Sequence, residues 1–247
     1  MILTISIIVI FIVNFKIHST LGHLALVKLD SYSNGFTGQG FGIDNQTRRD
    51  GTARSPFQLD TAVIREEDIS NGIASVCGRT LQGGVIPMPE SFIKAENLGL
   101  PDVGPDGKLY ITGHQINSDG GGPYSCAVDY TATGLNFDPV QMEVNIPGRN
   151  GRSDAKAADL PILATLPSGA KCTGGSDGQS CIVRCLNGAK AGPFGGCLAF
   201  TQKTSASRNS NSSNKNAGNN NKNNVDNNDS KVGESNKPTG DRFDFNL

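Results

Sequence analysis

The sequence predicts an all-β protein, an antiparallel β-sandwich with long Gly-rich loops and three disulfides, and three observations carry that expectation. The 247-residue chain has 31 Gly and 12 Pro, no Trp and only 18% charged residues, a composition unsuited to helical bundles or coiled coils. Its apolar residues alternate, or form short runs, between Gly, Pro, Asn and Asp turns that recur roughly every ten residues. Its six cysteines are an even count, as a disulfide framework in an exported domain requires.

In chain order, residues 1–22 read as a signal peptide. The apolar run from Ile2 to Val13 is too short to span a bilayer but fits a secretory h-region. Thr20 and Gly22 place small residues at the two positions a signal peptidase reads before a cut at His23. No Lys or Arg precedes the run, so an uncleaved anchor is the alternative. The expected location is extracellular, at or in a cell wall.

Residues 23–203 form the expected domain, about 180 residues, long enough for a core of its own. Strands are expected over 24–29, 108–116, 139–146, 161–166, 181–186 and 197–202, and a short helix over 62–67 with Asp68 following. Residues 33–42 and 97–107 read as loops. The cysteines Cys77, Cys126, Cys172, Cys181, Cys185 and Cys197 lack the paired C-x2-C spacing of a zinc site, so disulfides are expected, with pairing open. The four between 172 and 197 suggest a stapled loop region, with Cys185 and Cys197 in neighbouring strands. Residues 204–247, rich in Asn and Ser, cannot bury enough surface to offset ordering and read as a disordered tail. N-glycosylation sequons begin at Asn45, Asn211 and Asn228.

The charges, 22 Lys and Arg against 23 Asp and Glu, offer no basic surface for nucleic acid and no reason for a membrane partner once residues 1–22 are gone. The chain reads as a monomer. It has neither a phosphate-cradling GxxxxGK[ST] nor a GxGxxG between strand and helix. Hydrolytic triads are excluded by the histidine count, because only His23 and His114 follow the cut. The carboxylates Glu66, Glu67 and Asp68 are explained by solvation of a helix face.

The two histidines point elsewhere. A His at the first position of a processed chain offers an α-amine and an imidazole to one ion, and nitrogen donors of this kind suit copper. His114, at a strand end, would supply a third nitrogen. The competing reading makes His114 an ordinary hydrogen-bonded side chain.

The stretch His114-Gln-x-Asn-x-Asp-Gly-x-Gly-Pro-Tyr-Ser-Cys126, with Asp129 after it, resembles the signature of the Egh16-like family of secreted fungal proteins. So do Cys77-Gly-Arg-Thr80, Val144-Asn-Ile-Pro-Gly148 with Asn150-Gly151, Leu166-Pro-Ser168, Cys181-x-Val-Arg-Cys185 and Ala191-Gly-Pro-Phe-Gly-Gly-Cys197. The resemblance spans 23–202 and implies a role in appressoria and host penetration, with His at the mature N-terminus. The chain departs from the family pattern in lacking a Cys pair before Cys77 and in carrying the Asn-rich tail.

The histidines with Phe194-Gly-Gly-Cys197 are also similar to the arrangement in copper lytic polysaccharide monooxygenases. That likeness implies an immunoglobulin-like sandwich, one copper ion held by His23 and His114, and Phe194 as the axial aromatic residue. The other reading of Phe194 is a core residue beside a disulfide. Gln115 and Asp119 are candidates to orient ligands or handle protons, although Asp119-Gly120 also has the chemistry of a simple turn. Tyr32 and Tyr124 are candidates to stack on sugar rings. The expected function is therefore oxidative attack on a wall or cuticle polysaccharide, with a non-catalytic copper-binding or adhesive surface protein as the alternative.

Overall fold

A computed structural model describes residues 23–202. The expected signal peptide, the tail, and the sequons at Asn211 and Asn228 lie outside the described residues. The elements in chain order are β1 (Leu24–Asp30), β2 (Thr37–Gln39), β3 (Ala62–Val63), α1 (Glu66–Ser70), β4 (Arg79–Thr80), β5 (Gly84–Val85), α2 (Met88–Leu98) and β6 (Lys108–Gln115). A single 3-10 turn at Ser118–Gly120 follows, then β7 (Tyr124–Asp129), β8 (Asp138–Pro139), β9 (Gln141–Val144), β10 (Ala158–Thr165), β11 (Ser180–Asn187) and β12 (Phe194–Thr201).

The strands form two antiparallel sheets, one ordered β2-β1-β6-β10-β9 and one ordered β5-β4-β3-β12-β11-β7-β8. The expected all-β sandwich is therefore borne out. The core between the sheets joins Leu24, Leu26 and Leu29 of β1 and Leu109 and Ile111 of β6 to Val183, Leu198 and Phe200 of the facing sheet. Side chains buried to this degree contribute roughly 1.5–3 kcal/mol each. β12 is buried along its whole length because both its faces are covered. Leu198 and Phe200 point to the inter-sheet core, while Cys197 and Ala199 point to a second cluster with Met88 and Phe92 of α2.

Several expectations need correction. The strand expected over 139–146 is two short strands in different sheets, β8 beside β7 and β9 beside β10. Pro139 cannot donate to a ladder, which confines it to an edge, and the chain changes sheets at the buried Val140. The helix expected from residue 62 starts only at Glu66, since Ala62 and Val63 are drawn into the ladder beside β12. The loop over 33–42 contains β2, paired to β1. Four elements lie outside the expected ones, the short strands β4 and β5, the strand β7 and the helix α2. The helix opens at Pro87 with a second Pro in its first turn and stops at Gly99, whose φ of 97° suits glycine.

The disulfides are Cys77–Cys197, Cys126–Cys185 and Cys172–Cys181, with no free cysteine among the described residues. Cys185 and Cys197 do lie on neighbouring strands. Only Cys172–Cys181 staples a local loop, however; the other two bridges tie β11 and β12 back to β7 and to the β3–β4 segment.

Candidate metal centre

β1 and β6 run side by side, pairing Leu24 with Gln115 and Ala25 with His114. The Ile116 N–H donates to the His23 carbonyl at 3.0 Å, which continues the ladder by one pair. His23 and His114 are thus diagonal neighbours across two strands, a backbone spacing of about 7–8 Å that long side chains bridge. Both are almost fully buried.

His114 is held from its other side. β10 pairs with β6 without a register shift, so Asp159 lies directly opposite His114, and its Oδ1 is 2.6 Å from the His114 Nδ1. The hydrogen bond to this ring holds the Asp159 carboxyl below the ordinary carboxylate range; partial burial opposes that, and the charges of Lys28 and Arg49 add to it. The other ring nitrogen of His114, Nε2, is buried and makes no hydrogen bond among the described residues.

The segment after β6 wraps around His23. The His23 main-chain N donates to Asn117 Oδ1 at 3.0 Å. A Cβ on Gly120 would collide with the His23 carbonyl, and one on Gly122 with the Ile146 carbonyl, so these positions need glycine for close backbone approach. The Phe194 ring lies 4.7 Å from the His23 ring, centroid to centroid, tilted by 41°. Asn187 ties the pieces together. Its Nδ2 donates to the carbonyls of Asp119 and Gly121 at 3.1 and 2.9 Å, and its Oδ1 accepts from the Phe194 N–H at 3.0 Å.

The remaining candidates fall in different places. Gln115 alternates to the opposite side of β6 from His114, and its side chain is engaged with Asn117 O, Ser153 Oγ and Ala155 O. Asp119 sits in the 3-10 turn with Oδ1 2.6 Å from Arg152 Nη1, a charge contact off the hydrogen-bond direction. Tyr124 is a correction: it is buried and its hydroxyl donates to the Gly120 carbonyl at 3.1 Å, so it is closed to a sugar ring. The adjoining Gly-rich turn needs that hydrogen bond, and the ring packs in the core. Tyr32 remains exposed. Asn45 is exposed too, at the rim of a groove of about 480 Å³ that Lys28, Gln39, Thr47, Arg49 and Asp159 also line. A larger cleft of about 770 Å³ opens by Asp106, Gly107 and Thr165. It lies at the far end of the β6–β10 pair, about 20 Å along the strands from His114.

Among the described residues no three His, Cys, Asp or Glu side chains form a metal cluster. A centre here would therefore draw on two imidazoles and a main-chain nitrogen. Asp159 and Asn187 are the residues sequence reasoning missed. An acidic residue opening an otherwise apolar strand was the available signal for Asp159; Asn187 had none.

A family model described as Egh16-like virulence factor matches residues 21–195. The chain is similar to the appressoria-specific virulence factor GAS1 of Pyricularia oryzae, 38% identical over 184 residues that cover 72% of this chain and 71% of the relative. It is also similar to the appressoria-specific virulence factor GAS2 of that fungus, 29% identical over 238 residues, with 69% and 82% covered. No solved structure matches.

Proposed function

This chain belongs to the Egh16-like family of virulence factors, and from that premise we propose that it is an exported, virulence-associated protein whose His23 and His114 hold one copper ion. Both relatives are described as appressoria-specific virulence factors, which supports a role at a host or wall surface. The observation that carries the metal is the His114 ring, anchored at Nδ1 by Asp159 and buried at Nε2 without a hydrogen bond, diagonal to His23 in the ladder.

The donor set fits copper. Cleavage before His23 turns its main-chain N into an amine, and an amine with two imidazoles is a nitrogen set that Cu(II) and Cu(I) both accept. Asn117 Oδ1, already 3.0 Å from that nitrogen, accepts its N–H and holds it in place. Phe194 packs on the His23 ring and keeps water from that side. Bound copper supplies one-electron chemistry toward O2 or H2O2, the chemistry that lytic polysaccharide monooxygenases direct at polymers. The groove beside Asp159 presents amide, hydroxyl and charged groups of the kind that bind saccharide hydroxyls.

A second reading, copper binding without turnover, is favoured by the burial of both histidines, 1% and 3% exposed. The two are separated by one experiment on the secreted protein, its copper content being read first. Reductant-dependent consumption of H2O2 together with release of oxidised oligosaccharides from wall or cuticle material supports the oxidative reading. One copper per chain without turnover supports the second, and a chain that holds no copper overturns both.

A further inference from the structure

We propose that Asp159 is a positioning residue: its carboxylate accepts the Nδ1–H of His114 and so leaves Nε2 as the lone-pair donor for a transition-metal ion. This deepens the copper reading and rests on it for its purpose, whereas the state of the ring is testable without any metal.

The contact is built into the fold. The β6–β10 ladder runs in unbroken register from Ala158 opposite Gln115 to Thr165 opposite Lys108, so Asp159 cannot slide away from His114. An ionised carboxylate is an acceptor only, and a neutral imidazole carries its proton on one nitrogen. An Oδ1–Nδ1 distance of 2.6 Å therefore calls for the proton on Nδ1. The opposite tautomer fails at both ends: it sets a lone pair against the carboxylate and leaves a buried Nε2–H with no acceptor among the described residues. A partner of this type on the far nitrogen of a ligating histidine fixes ring orientation and raises basicity. The Asp159 side chain is itself 48% exposed on the groove that Lys28, Asp44 and Arg49 also line, so it is not a packing residue.

The experiment uses the secreted chain labelled with 15N-histidine and stripped of metal, in three forms: unaltered, Asp159→Asn and Asp159→Leu. Two-bond 15N–1H couplings read the tautomer of His114. The unaltered protein is expected in the Nδ1–H form. Asp159→Asn, which keeps a carbonyl acceptor, is expected to hold that form, and Asp159→Leu to lose it. Copper affinity, measured in parallel, should fall by about 10–100-fold in the Leu variant and by less in the Asn variant, with melting temperatures close to the parent. An Nε2–H ring in the unaltered protein overturns the proposal, as does a Leu variant that keeps both the tautomer and the affinity. If the tautomer depends on Asp159 yet no form binds copper, the positioning role stands and the copper reading fails.

Discussion

Asn187→Ala removes four hydrogen bonds at once from the junction that seats His23. The amide donates to Asp119 O and Gly121 O and accepts from the Ala189 and Phe194 N–H groups, all from a residue 1% exposed. At about 1 kcal/mol net per bond the loss is about 4 kcal/mol. For a domain of this size that lowers the melting temperature by about 8–16 °C. Differential scanning calorimetry on the parent and variant measures it directly. Asn187→Asp is the informative companion. It retains the acceptor for the two N–H groups but sets a carboxylate against two carbonyl oxygens, so it should be at least as destabilising as Ala. A drop below about 2 °C in Asn187→Ala, less than a single lost bond would give, would show that the hydrogen bonds around Asn187 do not hold the turn and Phe194 in place.

Two further outcomes follow from the framework. Replacing both cysteines of Cys77–Cys197, which are separated by 120 residues, should cost about 5 kcal/mol, whereas the bridge Cys172–Cys181, with a separation of 9, should cost only about 2.5 kcal/mol; urea unfolding of the two double-Ala variants gives the order, and equal losses would contradict it. Asp102 is buried, and although burial alone would raise its pKa, the Ser33 hydroxyl and the Ser33 and Asn34 amides hold it below the ordinary value. Its contribution is therefore complete above about pH 4, the unfolded value, and is lost as pH falls through the lower folded value. Asp102→Asn should flatten part of the decline in stability below pH 4; an unchanged slope would remove Asp102 from the account.

The strands legible in the sequence were those with simple apolar patterning, such as β1, β6 and β11. β7 was not, because Tyr124-Ser-Cys-Ala-Val-Asp follows a Gly-Gly-Gly-Pro turn and reads as the end of a motif. In α2 the start signal at Pro87 and the stop at Gly99 were present, with Met88, Phe92 and Ala95 spaced for one buried face, but the Gly-rich composition argued for strands throughout. The stretch from His114 to Cys126 pointed to the candidate site, and the fold explains its residue types: Asn117 seats the His23 nitrogen, Gly120 and Gly122 admit close backbone, and Tyr124 closes the turn. Asp159 lies 45 residues from His114, and only the β6–β10 register brings them together. The two long-range disulfides, Cys77–Cys197 and Cys126–Cys185, were hidden for the same reason. Cys126 and Cys185 face each other across the β7–β11 ladder, a pairing no local spacing contains.

The central claim is that the first nitrogen of a chain cut before His23 joins two imidazoles around copper. Its most direct test is Cu(II) affinity and the nitrogen hyperfine pattern of two forms, one beginning at His23 and one with a single Met before it. The added peptide bond converts a basic amine into an amide and leaves both rings intact. The form beginning at His23 is expected to bind one ion through three nitrogens, and the Met-extended form to fold equally well and bind about tenfold or more weakly, at least the loss that an outer partner alone causes. Equal, tight binding by the Met-extended form and by His114→Ala would contradict the claim.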